Sequence, residues 1–140
     1  MKVAIVGSRD ITDYSILEEA VKKSGFKIKE VVSGGAKGVD SLAEDFAGQN
    51  KLKCTVFKPD WNNISSPNAI VKVNNYGKQY NVLAGFERNT KIVEYCDAMI
   101  AIDNGSNGTN DSISKMKETG KPLYVHSMHS NTELDVYKFW

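Results

Sequence analysis

Cysteine is scarce in this 140-residue chain, charge of either sign is nearly cancelled, and no apolar run is long. The two cysteines, Cys54 and Cys96, end apolar stretches without C-x-x-C spacing. That placement suits reduced, half-buried thiols in a reducing compartment, so no disulfide is expected. Lys plus Arg (18) against Asp plus Glu (17) leaves a net charge of +1, which excludes the global positive field of a non-specific nucleic-acid binder. A nucleic-acid partner is therefore not expected. The first apolar run, Met1 to Gly7, is too short for a signal peptide, and nothing approaches membrane-spanning length, so a cytoplasmic location without a membrane partner is expected. Repeats and low-complexity segments are lacking as well.

Reaction motifs are missing too. His126 and His129 stand at i, i+3 with no third ligand nearby in sequence, so no metal is expected. Ser33, Ser66 and Ser106 lie outside any G-x-S-x-G elbow, and neither cysteine has a nucleophile setting. Covalent catalysis and a resident cofactor are not expected.

What is there is an ordinary globular composition, 41% hydrophobic and 25% charged, in a length that fits one domain with a proper core. Lys2 to Val6 is apolar at nearly every position, as a strand buried on both faces should be. Thr12 or Asp13 can cap a helix running to Ser24 and stopped by Gly25. Ile28 to Ser33 predicts a second strand, and Val39, Leu42, Ala43, Phe46 and Ala47 share the stripe of a second helix, with Asp40 in its first turn. Cys54 to Phe57 predicts a third strand. The polar stretch 62–82 then reads as a long loop in which Ala69 to Val73 forms a short strand or a helical turn. From Leu83 the helical period returns with Gly85, Arg88 or Asn89, Ile92, Val93 and Cys96 on one stripe. Ala98 to Ile102 is a fourth buried strand, Ile113 and Met116 face inward from a further helix, and Pro122 to His126 closes the series. The alternation predicts an α/β fold, a three-layer sandwich around a mostly parallel sheet of about five strands. The end of the chain, 128–140, carries Tyr137, Phe139 and Trp140 and is expected to pack on the body or on a partner subunit.

Three glycine-bearing loops follow buried strands: Gly7-Ser8-Arg9, Ser33-Gly34-Gly35-Ala36-Lys37-Gly38 and Gly105-Ser106-Asn107-Gly108-Thr109. None matches G-x-G-x-x-G or the Walker spacing. In an open α/β sheet such loops meet outside the carboxyl ends of the strands, where backbone N–H groups, hydroxyls and the guanidinium of Arg88 suit a phosphate. Arg88 sits where a helix opens and points toward the sheet, and an inward arginine needs an anionic partner. That partner is a ligand or a carboxylate such as Asp103 or Asp60.

Taken in order, Gly7-Ser8-Arg9, Ser33-Gly34-Gly35-Ala36-Lys37-Gly38-Val39-Asp40, Pro59-Asp60-Trp61, Ala84-Gly85-Phe86-Glu87-Arg88-Asn89 and Ser106-Asn107-Gly108-Thr109 resemble the motifs of the SLOG superfamily, closest to its small stand-alone branch of YspA and YpsA-related proteins. The resemblance covers about residues 3 to 126. It implies a Rossmann-like fold over 1–127, with an insertion at about 62–82, and a nucleotide or nucleotide-derived ligand. The implied ligand-binding residues are Gly7, Ser8, Arg9, Ser33, Gly34, Gly35, Ala36, Gly38, Asp40, Asp60, Trp61, Arg88, Asn89, Ser106, Gly108 and Thr109, and a homo-oligomer is expected.

The superfamily holds sensors and enzymes, and relatives include the DNA-processing protein DprA and the lonely-guy phosphoribohydrolases. Arg88 aligns with the arginine that the hydrolases place near the ribosyl phosphate. Their catalytic glutamate falls here on Ser112, with Asp111 adjacent; one residue along a helix turns a side chain by about 100°. The reading is therefore a binding module. The alternatives are a phosphoribohydrolase using Arg88 with Asp111 or Asp40, or a DNA-processing or assembly protein of the DprA type. Trp61 is expected to wall the site, and the insertion either forms a lid with Tyr76 or Tyr80 stacking a base or extends a subunit interface, the alternative for those tyrosines being packing on the body.

Overall fold

A computed structural model describes residues 1–65 and 69–128. The expectations placed on His129 and on the tail through Trp140 fall outside those residues. The elements run β1 (Lys2–Gly7), α1 (Tyr14–Ser24), β2 (Glu30–Ser33), α2 (Val39–Gln49), β3 (Lys53–Val56), β4 (Val71–Val73), β5 (Gln79–Asn81), α3 (Ala84–Tyr95), β6 (Ala98–Asp103), α4 (Asn107–Thr119) and β7 (Leu123–Ser127). Five strands form one parallel sheet in the order β3-β2-β1-β6-β7. This is the predicted Rossmann-like α/β arrangement. Among the described residues no helix is long and apolar enough to cross a membrane.

Side chains of a strand alternate between the two faces of its sheet, so the run Val3 to Val6 feeds two cores. Val3 and Ile5 meet Leu17 and Ala20 of α1 and Val39, Ala43 and Ala47 of α2. Ala4 and Val6 meet Ile92 and Val93 of α3 and Ile113 and Met116 of α4. Both layers are dry at the centre: Val3, Ala4 and Ile5 are wholly inaccessible. Full burial stabilises by about 1.5–3 kcal/mol for a large aliphatic side chain, so the central strand alone holds the layers firmly.

Local chemistry sets the ends. Asp13 caps α1 by accepting from Ser15 N at 2.9 Å, and Gly25 closes it in the left-handed conformation. Ser106 caps α4 by accepting from Thr109 N at 3.3 Å. Both thiols are free, but only Cys54 is half-buried. Cys96 is fully buried in the second core, which pushes its thiol up to about 11.

The stretch 62–82 differs from the expectation of a loop only in part, since a short strand, one of the two readings of Ala69 to Val73, is present as β4. It carries an antiparallel hairpin in which Val71 pairs with Asn81 and Val73 with Gln79. Asn74 ties the tip by accepting from Tyr76 N and Lys78 N through Oδ1. The hairpin stands apart from the main sheet.

Candidate functional site

The carboxyl ends of β1, β2 and β6 release three loops at one edge of the sheet. The first two are locked together through backbone. Val39 N donates to Ser8 O at 3.2 Å, and Gly38, at φ 73°, lies so close to the carbonyls of Ser8 and Arg9 that a Cβ would overlap both. A side chain at Gly38 therefore meets a conformational and a steric barrier at once.

Behind the second loop, fully buried Ser33 accepts from Gly35 N through Oγ, which also lies 3.1 Å from Asp40 O. Asp40 opens α2 and is itself buried, and its Oδ2 accepts from Ala36 N at 3.2 Å. Burial pushes the Asp40 carboxyl up to about 6; the Ala36 N–H and the Arg88 guanidinium oppose that rise without cancelling it, and Glu44 adds to it. The residue placed in the first turn to complement the helix dipole is thus a carboxyl that holds its proton far above the ordinary range.

Arg88 comes from the first turns of α3. Its Nη1 donates to Gly34 O, and its Nε donates to Asn89 Oδ1 at 2.9 Å. Burial lowers its pKa, offset by the field of Asp40. Asp40 is the carboxyl in whose field this guanidinium lies, where the sequence offered a ligand or a carboxylate such as Asp103 or Asp60. Asp103 instead accepts from Gly105 N at 2.8 Å, and Asp60 is exposed. No ion pair within 4 Å joins Arg88 to a carboxylate among the described residues. Asn89, on the same stripe, is buried and braces α3 on α4: its Nδ2 donates to Gly108 O and to Asp111 Oδ2, each at 3.2 Å.

These groups surround a cleft of about 520 Å³, within the range of small-molecule sites. Of the expected ligand-binding residues, Gly7, Ser8, Arg9, Gly34, Ala36, Asp40, Trp61, Arg88, Asn89, Ser106, Gly108 and Thr109 line it. Ser33, Gly35 and Gly38 lie outside the lining, where Ser33 and Gly38 brace the loops, and Asp60 is not brought to it. Asp111, a catalytic candidate, is also outside: its carboxylate is held by Lys115 Nζ at 2.8 Å, while Ser112 faces the cleft. The hydroxyl of Ser8 is buried at the cleft without a hydrogen-bond partner among the described residues.

The apolar part of the lining is built from Trp61, Val82, Gly85 and Phe86. Tyr80 of β5 packs edge-on to Trp61 with ring centroids 6.4 Å apart, and does not line the cleft. Tyr76 is 95% exposed at the hairpin tip. The residue that holds this wall together is Asn81, fully buried. Its backbone N donates to Trp61 O at 2.7 Å, and its Oδ1 accepts from Ile70 N and Leu83 N. Sequence reasoning placed no weight on Asn81, because nothing distinguishes it there from the other asparagines of 62–82. Phe86 and Gly85 were signalled by their place beside Arg88, in the motif that opens α3.

Residues 1–63 match the model of the YspA, cpYpsA-related SLOG family, so the resemblance carried by the motifs through Trp61 holds over that stretch. Among solved structures the fold is similar to that of DNA processing protein A (DprA) from Streptococcus pneumoniae, with a TM-score of 0.66 and 23% sequence identity. The likeness covers 89% of this chain and 49% of that one, so the chain spans about half the length of DprA. No curated protein matches the chain.

Proposed function

We propose that this chain, matched to the SLOG family over its first 63 residues, binds a phosphate-bearing nucleotide or nucleotide-derived ligand in the cleft and does not hydrolyse it. The observation that carries the reading is Arg88. A half-buried guanidinium borders the cleft with a neutral carbonyl and a neutral amide as its direct partners, and the carboxyl in its field, Asp40, which ionises only above about pH 6, forms no ion pair with it among the described residues. A buried cation in that state gains from an anion. The N-terminus of α4 and the unpartnered Ser8 hydroxyl on the same cleft add donors for phosphate oxygens.

Binding without hydrolysis is favoured by the placement of Ser112 and Asp111. The position that would carry a catalytic carboxylate presents a hydroxyl, and the adjacent carboxylate is spent on Lys115 and Asn89. One observation favours a phosphoribohydrolase instead: Asp40 lines the cleft and can carry a proton near neutral pH, as a general acid must.

A thermal-shift panel of AMP, GMP, cyclic dinucleotides and ADP-ribose tests the proposal. Ligand at a hundred times its Kd stabilises by about 2.7 kcal/mol. Stabilisation without release of free base supports the binding module. Base release abolished by Asp40→Asn would establish the hydrolase, and a flat panel would remove both.

A further inference from the structure

Two chemically distinct sets of residues line the cleft. Ser8, Arg9, Arg88 and the start of α4 bring donors and two guanidinium groups, with the carboxyls of Asp10 and Asp40 beside them, while Trp61, Val82, Gly85 and Phe86 bring no charged side chain. A free phosphate or a sugar phosphate has no use for the second set. We infer that Trp61 is a stacking platform for the planar base of a nucleotide, and that the hairpin β4–β5 exists to hold that platform; the inference rests on the phosphate site working as proposed above.

The indole is built as a platform. In the loop after β3 it keeps 36% of its surface exposed while bordering the cleft, which is unusual for a large aromatic that merely fills space. Its position is fixed from three sides. Gly85 of α3 leaves room for the ring, since a Cβ there would lie 3.3 Å from Cη2. Tyr80 meets it edge-on at an interplanar angle of 71°. Its carbonyl is tied to Asn81 N, the residue that also clamps the base of the hairpin. An edge-on tyrosine is the arrangement that aromatic quadrupoles favour.

Phe86 is less suited to the role. Lys115 Nζ donates to its carbonyl at 2.8 Å and stands 5.9 Å from the ring centroid. Tyr76, far out on the hairpin tip, is not a cleft residue.

The test compares AMP with ribose 5-phosphate by calorimetry on wild type, Trp61→Ala and Trp61→Phe, and follows tryptophan emission in a Trp140→Phe background that leaves Trp61 as the sole tryptophan. Loss of one base stack weakens binding by about 5- to 150-fold. AMP affinity is therefore expected to fall by that factor in Trp61→Ala and to be largely kept in Trp61→Phe, with ribose 5-phosphate affinity unchanged in both. AMP, and not ribose 5-phosphate, quenches Trp61. Equal weakening of both probes, or an AMP affinity indifferent to Trp61→Ala, overturns the platform while leaving the phosphate site standing. Failure of both probes to bind wild type overturns the binding reading and the platform with it. Melting of the unliganded variants shows that the fold is retained, which an exposed loop residue permits.

Discussion

Arg88 and Asp40 converge on Gly34 without pairing with each other. A methyl group on Gly34 would come 2.6 Å from Arg88 Nη1 and 2.7 Å from Asp40 Oδ2. The absent side chain is what lets two charged groups from α3 and α2 share one backbone position at the mouth of the second loop.

Gly34→Ala tests that arrangement. The guanidinium is the end of a long flexible side chain and can move, whereas the short, buried Asp40 cannot, so the methyl expels Arg88 from its place. The expected result is a destabilisation of about 1–3 kcal/mol, as for overpacked sites, with AMP affinity reduced tenfold or more in calorimetry. An AMP affinity equal to wild type would show that Arg88 need not lie against Gly34 O to bind.

Arg88→Ala is expected to weaken AMP by about 10- to 150-fold, the worth of a charge-assisted hydrogen bond. Because Arg88 also satisfies Gly34 O and lowers the Asp40 pKa, the unliganded melt should fall modestly and the Asp40 pKa should rise further above 6. Arg88→Lys keeps the charge but not the planar fork that reaches Gly34 O and Asn89 together, and should recover only part of the affinity.

Asp40 makes stability depend on pH in an unusual direction for a carboxyl. Its pKa of about 6 in the folded protein stands above the ordinary 3.8, so between those values the folded chain binds a proton that the unfolded chain has lost. Stability therefore falls as pH rises through about 4 to 6, and above that window the ionised, buried carboxylate costs about 3 kcal/mol. Asp40→Asn keeps an acceptor for Ala36 N and removes the titration. Thermal melts across pH 4–8 should show the variant more stable than wild type at pH 7.5 and the difference vanishing near pH 4. A wild-type minus variant difference that stays flat with pH would mean that Asp40 is not buried as described.

Gly38→Ala is expected to be the most damaging of the loop substitutions. The barrier there is backbone, the carbonyls of Ser8 and Arg9, at a positive φ. Relief requires parting the first two loops, so loss of soluble protein or a drop of several kcal/mol in chemical denaturation is expected.

The parallel sheet was legible because β1 and β6, buried along nearly their whole length, read as continuous apolar runs, and because Asp13 and Gly25 punctuate the first helix. The convergence of three loops followed from topology alone. What stayed hidden depends on tertiary placement. The strand β5 is only three residues long, Gln79–Asn81, a signal too short for any period to register. Asn81 joins Trp61, Ile70 and Leu83 only once the hairpin exists. The approach of Asp40 and Arg88 to one glycine joins two residues 48 positions apart, so the carboxylates nearest a strand end, Asp60 and Asp103, were the natural candidates.

The hairpin lies in the connection that carries the chain from β3, at one edge of the sheet, to β6 on the far side of β1. Such a connection is already long, and loop-closure entropy grows only by about 0.6 kcal/mol for each doubling of length. The wall that meets the base can therefore be lengthened, trimmed or exchanged almost independently of the sheet, so that ligand choice and foldability are separately adjustable in this chain. Replacing 73–79 with Asn-Gly, a two-residue turn between the paired Lys72 and Tyr80, should leave the melting midpoint within a few degrees of wild type, and AMP should still quench Trp61.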